Sequence, residues 1–503
     1  MRTIFILFDS LNRRCIQPYG DTVSTPNFKR LAERAVTFDT HYAGSLPCMP
    51  ARRDMHTGRL NFLHRSWGPL EPFDLSFPEE LKKKGVYSHL LTDHYHYFED
   101  GGATYHNRYN TWDLVRGQEY DNYSAIVRPD AERYREKVHP SQYEDPAKRG
   151  PLTQNLNNRE LLKSEEDYPV AQVFSRAFDF LDTNREADDW LLQVECFDPH
   201  EPFVVPPKYR EGLDTGYNGG AFDWPRYREV IETDVEIAEA RANYEALLRM
   251  CDAYLGRLLD YMDEHDMWND TAVVVSTDHG YLLGEHGWWA KNRMPMYDEI
   301  AHTPLMIHHP DYQQYAGERR KELTQVIDLM PTILEIHGCP IPEEVQGHSL
   351  LASLAEDRKI RDFALYGIFG AATNVTDGRH TYFRYPADME NQELEEYTLL
   401  PLHVQEGFKA FEFAGAQLVE GFNFTRGYPL LKIPAHKDAR RPMMSRVPFV
   451  GTETVLYDLA ADPHQENPVD DENIEKRMIA GMIDQMRKCE APASAFRRLG
   501  FEA

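Results

Sequence analysis

The sequence predicts an α/β fold: a mostly parallel sheet with helices on both faces, followed by a smaller α+β domain. Three short segments are almost continuously apolar, as the buried strands of a parallel sheet are, and they lie at residues 4–8, 190–196 and 271–276. Between the last two, apolar residues recur at steps of three and four over residues 244–262, the spacing of a helix with one buried face. Helices that alternate with buried strands place those strands in one sheet.

Two further elements are predicted near the start of the chain. Thr25 followed by Pro26 is typical of a helix cap and a first helical residue, so we expect a helix over residues 25–36. A second buried strand follows Gly85 and ends at residues 90–91.

Aspartates directly follow two of the predicted strands. Asp9 ends the strand at residues 4–8, and Asp278 comes just after the strand at residues 271–276. In open parallel sheets, ligands bind beyond the carboxyl ends of the strands. The two aspartates are therefore candidate site residues.

The pattern of the sequence changes near residue 361, from apolar segments that alternate with helical ones to short segments separated by turns. Short segments with turn signals such as Asp377-Gly378 predict antiparallel strands, and a last helix is expected over residues 473–488. We therefore expect a catalytic domain over residues 1–360 and a smaller α+β domain over residues 361–503. Residues 386–446 are rich in aromatic residues and proline, and we expect an irregular insertion there that shapes the site.

Composition narrows the class of partner. The 503 residues carry a net charge of −27, which argues against nucleic acid and favours a small substrate. The first residues lack a cleavable signal, and no apolar run approaches the length of a membrane span, so we expect a cytoplasmic protein without membrane contact. The six cysteines form no CxxC pair, and five of them are expected to be buried small residues.

Cys48 differs from the other cysteines in its surroundings. It lies in AGSLPCMPARRDMHTG, residues 43–58, at a predicted loop-to-helix junction. Arg52 and His56 follow at i+4 and i+8, near one helical face. A helix N-terminus and an arginine favour an anion there and would lower the pKa of the thiol. From this stretch alone, the alternative is a capped helix with a buried cysteine and a solvated basic turn.

Residues 48–58, CMPARRDMHTG, resemble the signature of the sulfatase family, C-x-P-S/A-R followed by T-G. The similarity continues over most of the chain and is weakest at residues 95–190 and 386–446. The other similar segments are TPNFKRLAERAVTFDTHYA at 25–43, ECFDPHEPF at 195–203, STDHGYLLGEHGWWAKN at 276–292 and VLYDLAADPHQEN at 455–467. The resemblance implies an alkaline-phosphatase-like α/β domain with a small C-terminal domain. It also implies that a maturase enzyme converts Cys48 to formylglycine.

The resemblance further implies a divalent metal site. Asp9, Cys48, Asp278 and His279 match the family's metal-binding positions, and Ser10 stands where many members have a second aspartate. Carboxylate oxygens suit Ca²⁺, which we expect, while the histidine nitrogen leaves Mn²⁺ or Mg²⁺ open. Without the resemblance, Asp9 reads as a helix cap and His279 as a loop histidine.

The resemblance also assigns roles in sulfate transfer. A hydrate hydroxyl of residue 48 attacks the sulfur with Asp278 as base, and the second hydroxyl later expels the sulfate. Arg52 and Lys291 stabilise charge on the transferred group, and His200 protonates the leaving alcohol. The base of the elimination step is predicted to be one of two histidines in the segment 93–109, which could instead be a solvated aromatic loop; the two candidates are His94 and His96.

Other functions remain open at this stage. Phosphonate monoester or phosphodiester hydrolases resemble the chain in the cysteine signature, the non-acidic residue after Asp9 and the Asp278-His279 pair. Sulfatases commonly have a lysine within a G-K-W-H motif, and this chain has Asp93 at about that position. The hydrolases just named resemble the chain in lacking this lysine. A non-catalytic binding protein and a cysteine hydrolase with His56 as base are the further alternatives. The substrate, expected to be a small anionic ester, and homo-oligomer formation are not fixed by the sequence.

Overall fold

A computed structural model describes residues 1–20, 22–435 and 449–502. The helices are α1 Pro26–Ala32, α2 Cys48–Thr57, α3 Phe77–Lys83, α4 Ala131–Lys137, α5 Pro151–Arg159, α6 Pro169–Thr183, α7 Asp234–Glu264, α8 Asp298–Ala301, α9 Leu329–Ile336, α10 Leu351–Ala355, α11 Glu472–Lys488 and α12 Ala493–Arg498. The strands are β1 Arg2–Phe8, β2 Val36–Tyr42, β3 Tyr87–Thr92, β4 Thr111–Leu114, β5 Trp190–Cys196, β6 Thr271–Thr277, β7 Leu282–Leu283, β8 Trp289–Ala290, β9 His302–His308, β10 Arg319–Arg320, β11 Thr324–Gln325, β12 Ala364–Gly367, β13 Thr373–Thr376, β14 His380–Arg384, β15 Glu395–Thr398, β16 Gln417–Val419, β17 Leu430–Pro434 and β18 Val455–Asp458.

A nine-stranded sheet forms the centre of the molecule. Its strand order is β10-β2-β9-β6-β1-β5-β3-β4, with β11 also paired to β2. Strand β1 is parallel to both neighbours, and Phe8 at its end is in register with Cys196 and Thr277. Only β9 runs antiparallel to its neighbours, β2 and β6. The predicted mostly parallel sheet is confirmed.

Alternate residues of β1 point to two different cores. Phe5 and Leu7 pack in the core that includes helices α2, α3, α9 and α11, while Ile4, Ile6 and Phe8 pack against α1, α6 and α7. Successive side chains of a strand point to opposite faces, so a strand that is apolar throughout needs helices on both. The sheet is therefore covered on both faces, as predicted.

The C-terminal part contains a smaller antiparallel sheet. Its order is β12-β13-β14-β18, and helix α11 packs with it through Met478 and Met482, which share a core with Val375 and Tyr382. The predicted last helix, residues 473–488, corresponds to α11. A smaller C-terminal α+β part is confirmed, whereas its boundary at residue 360 stays a prediction.

Two predicted elements differ in the structure. Helix α1 ends at Ala32 instead of residue 36, because residues 33–35 form a turn and Val36 begins β2, where β-branched and aromatic side chains favour a strand. Residues 386–435 are not simply irregular, because β15, β17 and β16 form a three-stranded sheet. Glu396 and Thr398 of β15 are buried polar residues, so the strand lacks the apolar alternation that would reveal it. Residues 436–446 of the predicted insertion lie outside the described residues.

The helices of the protein bear on whether the chain could cross a membrane. Within the ranges that the structure describes, none of them combines the length and the apolar character needed to cross a bilayer.

Candidate active site

Three carboxylates meet at the carboxyl ends of the three central strands. Asp9 follows β1, Asp278 follows β6, and Glu195 is the second-last residue of β5. Because β1 lies between β5 and β6 and is parallel to both, the three strand ends are side by side. All three side chains are completely buried. Such a concentration of buried negative charge requires cations nearby.

Arg52 of helix α2 supplies one of these cations. Its Nε donates to Glu195 Oε1 at 2.7 Å, its Nη1 to Asp278 Oδ2 at 2.6 Å and its Nη2 to Asp9 Oδ2 at 2.9 Å. Burial would raise the pKa of Asp9, but the Arg52 guanidinium and the Lys291 ammonium outweigh it and hold that pKa well below its usual range. Arg52 therefore fixes the helix to the ends of three strands.

Cys48 is the first residue of the same helix. Its Sγ lies 3.3 Å from His279 Nε2. Burial and the Asp9 carboxylate raise the pKa of the thiol well above its usual value, contrary to the expectation that the helix N-terminus and Arg52 would lower it. The unmodified cysteine is a protonated thiol, and His56 contacts the Tyr109 hydroxyl, with its Nε2 at 3.4 Å. These contacts give the cysteine-hydrolase alternative no support.

The donor atoms of four buried residues could hold a metal ion. One ligand atom from each lies within 4.8 Å of all the others, and the residues are Asp9, Cys48, Asp278 and His279. Burial lowers the pKa of His279, which keeps the imidazole neutral and able to bind a metal. Two carboxylates and an imidazole fit Ca²⁺, Mg²⁺ or Mn²⁺, so the chemistry of the site fits the predicted metal.

Ser10 and Lys291 lie beside this group. Ser10 has a positive φ of 59°, and its Oγ donates to Asp9 Oδ1 at 2.8 Å. Lys291 Nζ donates to Ser10 Oγ at 2.6 Å and lies 3.7 Å from Asp9 Oδ1. Burial opposes the charge of Lys291, but the carboxylates of Asp9 and Asp278 raise its pKa, so it remains an ammonium ion. Ser10 connects Lys291 to Asp9, while its role as a metal ligand stays a prediction.

The whole of this site lies within one family-model match. The family model named Sulfatase matches residues 2–339. The chain belongs to the sulfatase family. A second model, described as the C-terminal part of N-sulphoglucosamine sulphohydrolase, matches residues 284–396. By family, the chain is a sulfuric ester hydrolase, which confirms the resemblance drawn from the sequence.

The similarity to curated relatives and to solved structures of other proteins extends over most of this sulfatase. Arylsulfatase K of Homo sapiens is 36% identical over 403 residues, 71% of this chain and 66% of that protein. A multifunctional alkaline phosphatase superfamily protein of Trinickia caryophylli is 26% identical, over 67% of this chain and 72% of that protein. A protein solved with its substrate D-glucosamine-2-N,6-O-disulfate superposes with a TM-score of 0.64 at 15% identity, covering 98% of this chain and 99% of the other. A phosphonate monoester hydrolase from Silicibacter pomeroyi has a TM-score of 0.60 at 23% identity, covering 76% and 87%.

The structure separates the two histidines of the sulfatase's segment 93–109. His94 Nε2 lies 3.5 Å from Asp9 Oδ2, and its ring is completely buried. His96 instead contacts Glu99 Oε2 through Nδ1 at 2.5 Å, with Nε2 3.8 Å from Glu119. Residues 93–97 are buried, so this part is not a solvated loop. Of the two candidates, His94 is the one beside Asp9, a candidate metal ligand.

His200 lies in the loop after β5. The ring packs on Phe197 with the centroids 4.1 Å apart, and its Nδ1 lies 2.6 Å from the main-chain oxygen of Glu201. Burial and the Lys291 ammonium lower the pKa of His200 well below its usual value. The charges of Lys291 and Asp9 act on this pKa, so His200 lies within electrostatic reach of both residues.

Several polar residues of the sulfatase's site were missed by sequence reasoning. Glu195 is the one charged residue of the buried strand β5, which was a visible signal. A second missed group surrounds the loop that carries His200. Gln118 Nε2 donates to Asp93 Oδ2 at 3.0 Å and to Asp198 Oδ1 at 2.9 Å, and Asp93 Oδ1 accepts from Phe197 N at 2.6 Å. These contacts link residues far apart in the chain, which no local pattern reveals.

An Asp198→Asn variant is expected to change how stability depends on pH. Burial raises the pKa of Asp198 to about 7. A folded state that holds this proton more tightly than the unfolded chain loses stability as the pH rises from about 4 to about 7. The asparagine cannot lose a proton, so the variant should gain on the order of 1–3 kcal/mol relative to the wild type between pH 5 and pH 8. The free energy of unfolding in urea at both pH values measures this.

The matched control is Asp214→Asn, the same change on an exposed side chain. Its difference from the wild type should be the same at both pH values. Parallel pH curves for Asp198→Asn and the wild type would contradict the prediction.

Proposed function

We propose that this sulfatase hydrolyses the sulfate ester of a small sugar, aryl or alkyl alcohol, with residue 48 acting as formylglycine. The observation that carries the proposal is the buried group of Asp9, Cys48, Asp278 and His279. Its cysteine opens helix α2 and begins the segment that resembles the sulfatase signature. Asp9 and Asp278 follow two adjacent strands, and Cys48 is the first residue of helix α2, so the three side chains face one small space.

A divalent cation, with Ca²⁺ expected and Mn²⁺ or Mg²⁺ as alternatives, would be held by these four residues and would polarise the ester oxygens and acidify a hydroxyl of residue 48. Formal charges support this. The carboxylates of Asp9, Asp278 and Glu195 face the cations Arg52 and Lys291, which leaves one negative charge. Glu201 adds none when it is paired with a protonated His200. A monoanionic ester adds a second, so a divalent cation would neutralise the loaded site. The substrate is therefore a singly charged ester.

The chain's own residues have the following roles in the proposal. Asp278 accepts the proton of the attacking hydroxyl of residue 48, and Lys291, held as an ammonium ion, stabilises charge on the transferred group. His200 protonates the leaving alcohol oxygen. His94 is buried, and burial lowers its pKa well below the usual value, so it can accept the proton of the second hydroxyl when sulfate leaves.

The contacts of Arg52 support a second role besides the predicted one. Its donors already bind three carboxylates, which supports a function in positioning the metal-binding aspartates. Charge stabilisation on the transferred group stays a prediction for this residue. Ser10 and His96 likewise stay predictions, as metal ligand and as alternative base.

A phosphonate monoester hydrolase of the same superfamily is the second candidate. It is favoured by the donor set, in which His279 accompanies Asp278 and Ser10 replaces a second aspartate. A phosphonate monoester also carries one negative charge, so the charge balance does not separate the two reactions.

Comparison of three 4-nitrophenyl esters tests the proposal. The protein is taken from a host that matures sulfatases and is assayed with the sulfate, the phenylphosphonate and the dianionic phosphate. We expect kcat/KM to be highest for the sulfate and lowest for the phosphate, because the dianion leaves the site with an uncompensated charge. Preference for the phosphonate would establish the second candidate. Preference for the phosphate would contradict both.

The proposal also covers the partners of the protein and its location in the cell. The formylglycine requires a maturase, either an aerobic formylglycine-generating enzyme or an anaerobic one. Action in the cytoplasm on a small anionic ester, without nucleic acid or membrane partners, stays a prediction from composition, as does assembly into a homo-oligomer. Rapid hydrolysis of intact sulfated polymers would contradict the small substrate.

A further inference from the structure

His200 and Glu201 form a close pair in the loop after β5. His200 Nδ1 lies 2.6 Å from the main-chain oxygen of Glu201 and 3.2 Å from its side-chain Oε2. Both residues are buried, with exposed fractions of 2% and 0%. The short contact to a carbonyl oxygen, which can only accept, means that Nδ1 carries its hydrogen. The other nitrogen, Nε2, is then the one available to a leaving group.

The carboxyl of Glu201 is held in place. The Tyr227 hydroxyl donates to Glu201 Oε1. The second oxygen, Oε2, receives no hydrogen bond from any residue that the structure describes, although it faces His200 Nδ1. A buried carboxyl oxygen without a hydrogen bond is costly, and such groups are retained where function needs them.

The surroundings of His200 create a need for negative charge. A neutral imidazole is a poor acid for a leaving alkoxide, and burial with the Lys291 ammonium favours the neutral form. The charged or titratable groups that act on the His200 ring are Lys291, Asp9 and His279. Those that act on Glu201 are Lys291, Tyr227, Asp9, Glu119 and Tyr281. Asp9 is engaged with Arg52 and Ser10. Glu201 is the carboxyl in contact with His200 within the described ranges.

We propose that Glu201 is a positioning residue for leaving-group protonation: its carboxylate faces His200 Nδ1–H and stabilises the imidazolium whose Nε2–H passes to the leaving oxygen. As the sulfur–oxygen bond breaks, its electron pair stays on the leaving oxygen, which takes the Nε2 proton. His200 returns to the neutral form with Nδ1–H kept. Asp278 and His94 release two protons to the solvent in each cycle, and one of these restores the proton on Nε2. This inference rests on the proposed function, in which His200 is the general acid.

Glu201→Gln tests the proposal through the dependence on the leaving group. A simple alkyl alcohol needs a proton to leave, whereas 4-nitrophenolate does not. General acid catalysis contributes about 10²- to 10⁴-fold, so kcat/KM for ethyl sulfate should fall at least about 100-fold, and that for 4-nitrophenyl sulfate less than about fivefold. His200→Ala should show the same selective loss. The double variant should lose little more than either single one, because the two residues act as a unit.

Two further variants test whether the loss of activity has a cause other than the proposed role of Glu201. Glu201→Asp keeps the charge and should retain more activity on ethyl sulfate than Glu201→Gln. This variant keeps the proposal testable if the glutamine variant folds poorly. Glu211→Gln makes the same change on an exposed carboxyl and should alter neither rate. The thermal unfolding midpoint of each variant is recorded.

The rates of the Glu201 variants on the two esters either support or contradict the proposed role of this residue. Equal losses on both esters, or an unchanged rate on ethyl sulfate, would assign Glu201 a merely structural role and overturn the proposal. Failure of the proposed function has a different signature: wild-type protein with formylglycine verified by mass would hydrolyse neither ester, and both proposals would fall together.

Discussion

A Cys48→Ala variant is expected to lose about 10⁵-fold in kcat/KM on 4-nitrophenyl sulfate, since loss of a covalent nucleophile has effects of this order. The alanine keeps the start of helix α2 but cannot be converted to an aldehyde. Because the side chain is almost completely buried and small, the variant should remain folded. The steady-state rate on one ester, with circular dichroism as a check of folding, measures the effect.

The mass of the tryptic peptide of residues 35–52 accompanies this experiment. In the active wild type it should match an aldehyde, with its hydrate, at residue 48. Cys339→Ala, which removes a cysteine outside the site, is the control and should retain full activity. Full activity in Cys48→Ala, or in Cys48→Ser from a host unable to convert serine, would contradict the nucleophile. An active wild type with a plain thiol would do so as well.

An Arg52→Met variant is expected to lose about 3–5 kcal/mol of unfolding free energy in metal-free protein, because one change removes the partner of three buried carboxylates. A methionine fills much of the volume but leaves Asp9, Asp278 and Glu195 uncompensated. Adding a divalent cation should recover part of the loss, since the cation would supply positive charge to Asp9 and Asp278. Urea unfolding with and without the cation measures both effects.

The comparison variant is Arg185→Met, which breaks an exposed ion pair with Asp182. Water and salt screen an exposed ion pair, so this change should leave the free energy of unfolding nearly unchanged. Arg52→Lys should lie between the two, since an ammonium has the charge but not the planar three-way geometry. A loss below about 1 kcal/mol for Arg52→Met would show that the carboxylates are compensated in another way.

The fold could be predicted because its strands are buried on both faces. Strand β1 is apolar on either side, and such a run has few other interpretations. Strand β15 was missed because its inward residues Glu396 and Thr398 are polar, with Ser66 bonded to the glutamate. When a strand buries hydrogen-bonded polar side chains instead of apolar ones, the hydropathy of the sequence does not reveal that the strand is buried.

For the site, the residues next to strand ends or inside a motif were found, and those that act through distant partners were not. Asp9 and Asp278 are marked by their position after strands. The bridge from Gln118 to Asp93 and Asp198 depends on three segments that meet only in the folded chain. The predicted low pKa of the Cys48 thiol was wrong because burial and Asp9 outweigh the helix N-terminus, a balance that only coordinates reveal.

The central place of β1 has a consequence for biosynthesis. Its two neighbours, β5 and β6, begin at residues 190 and 271, so β1 has no partner until long after it leaves the ribosome. At about 5–20 residues per second, synthesis of the intervening segment takes roughly 10–40 seconds. Cys48 packs against the face of β1 that carries Phe5 and Leu7 and is 3% exposed once that core forms. Under the proposed function, translation therefore sets a time window for maturation, and a chain that folds unmodified buries its cysteine out of reach of the maturase.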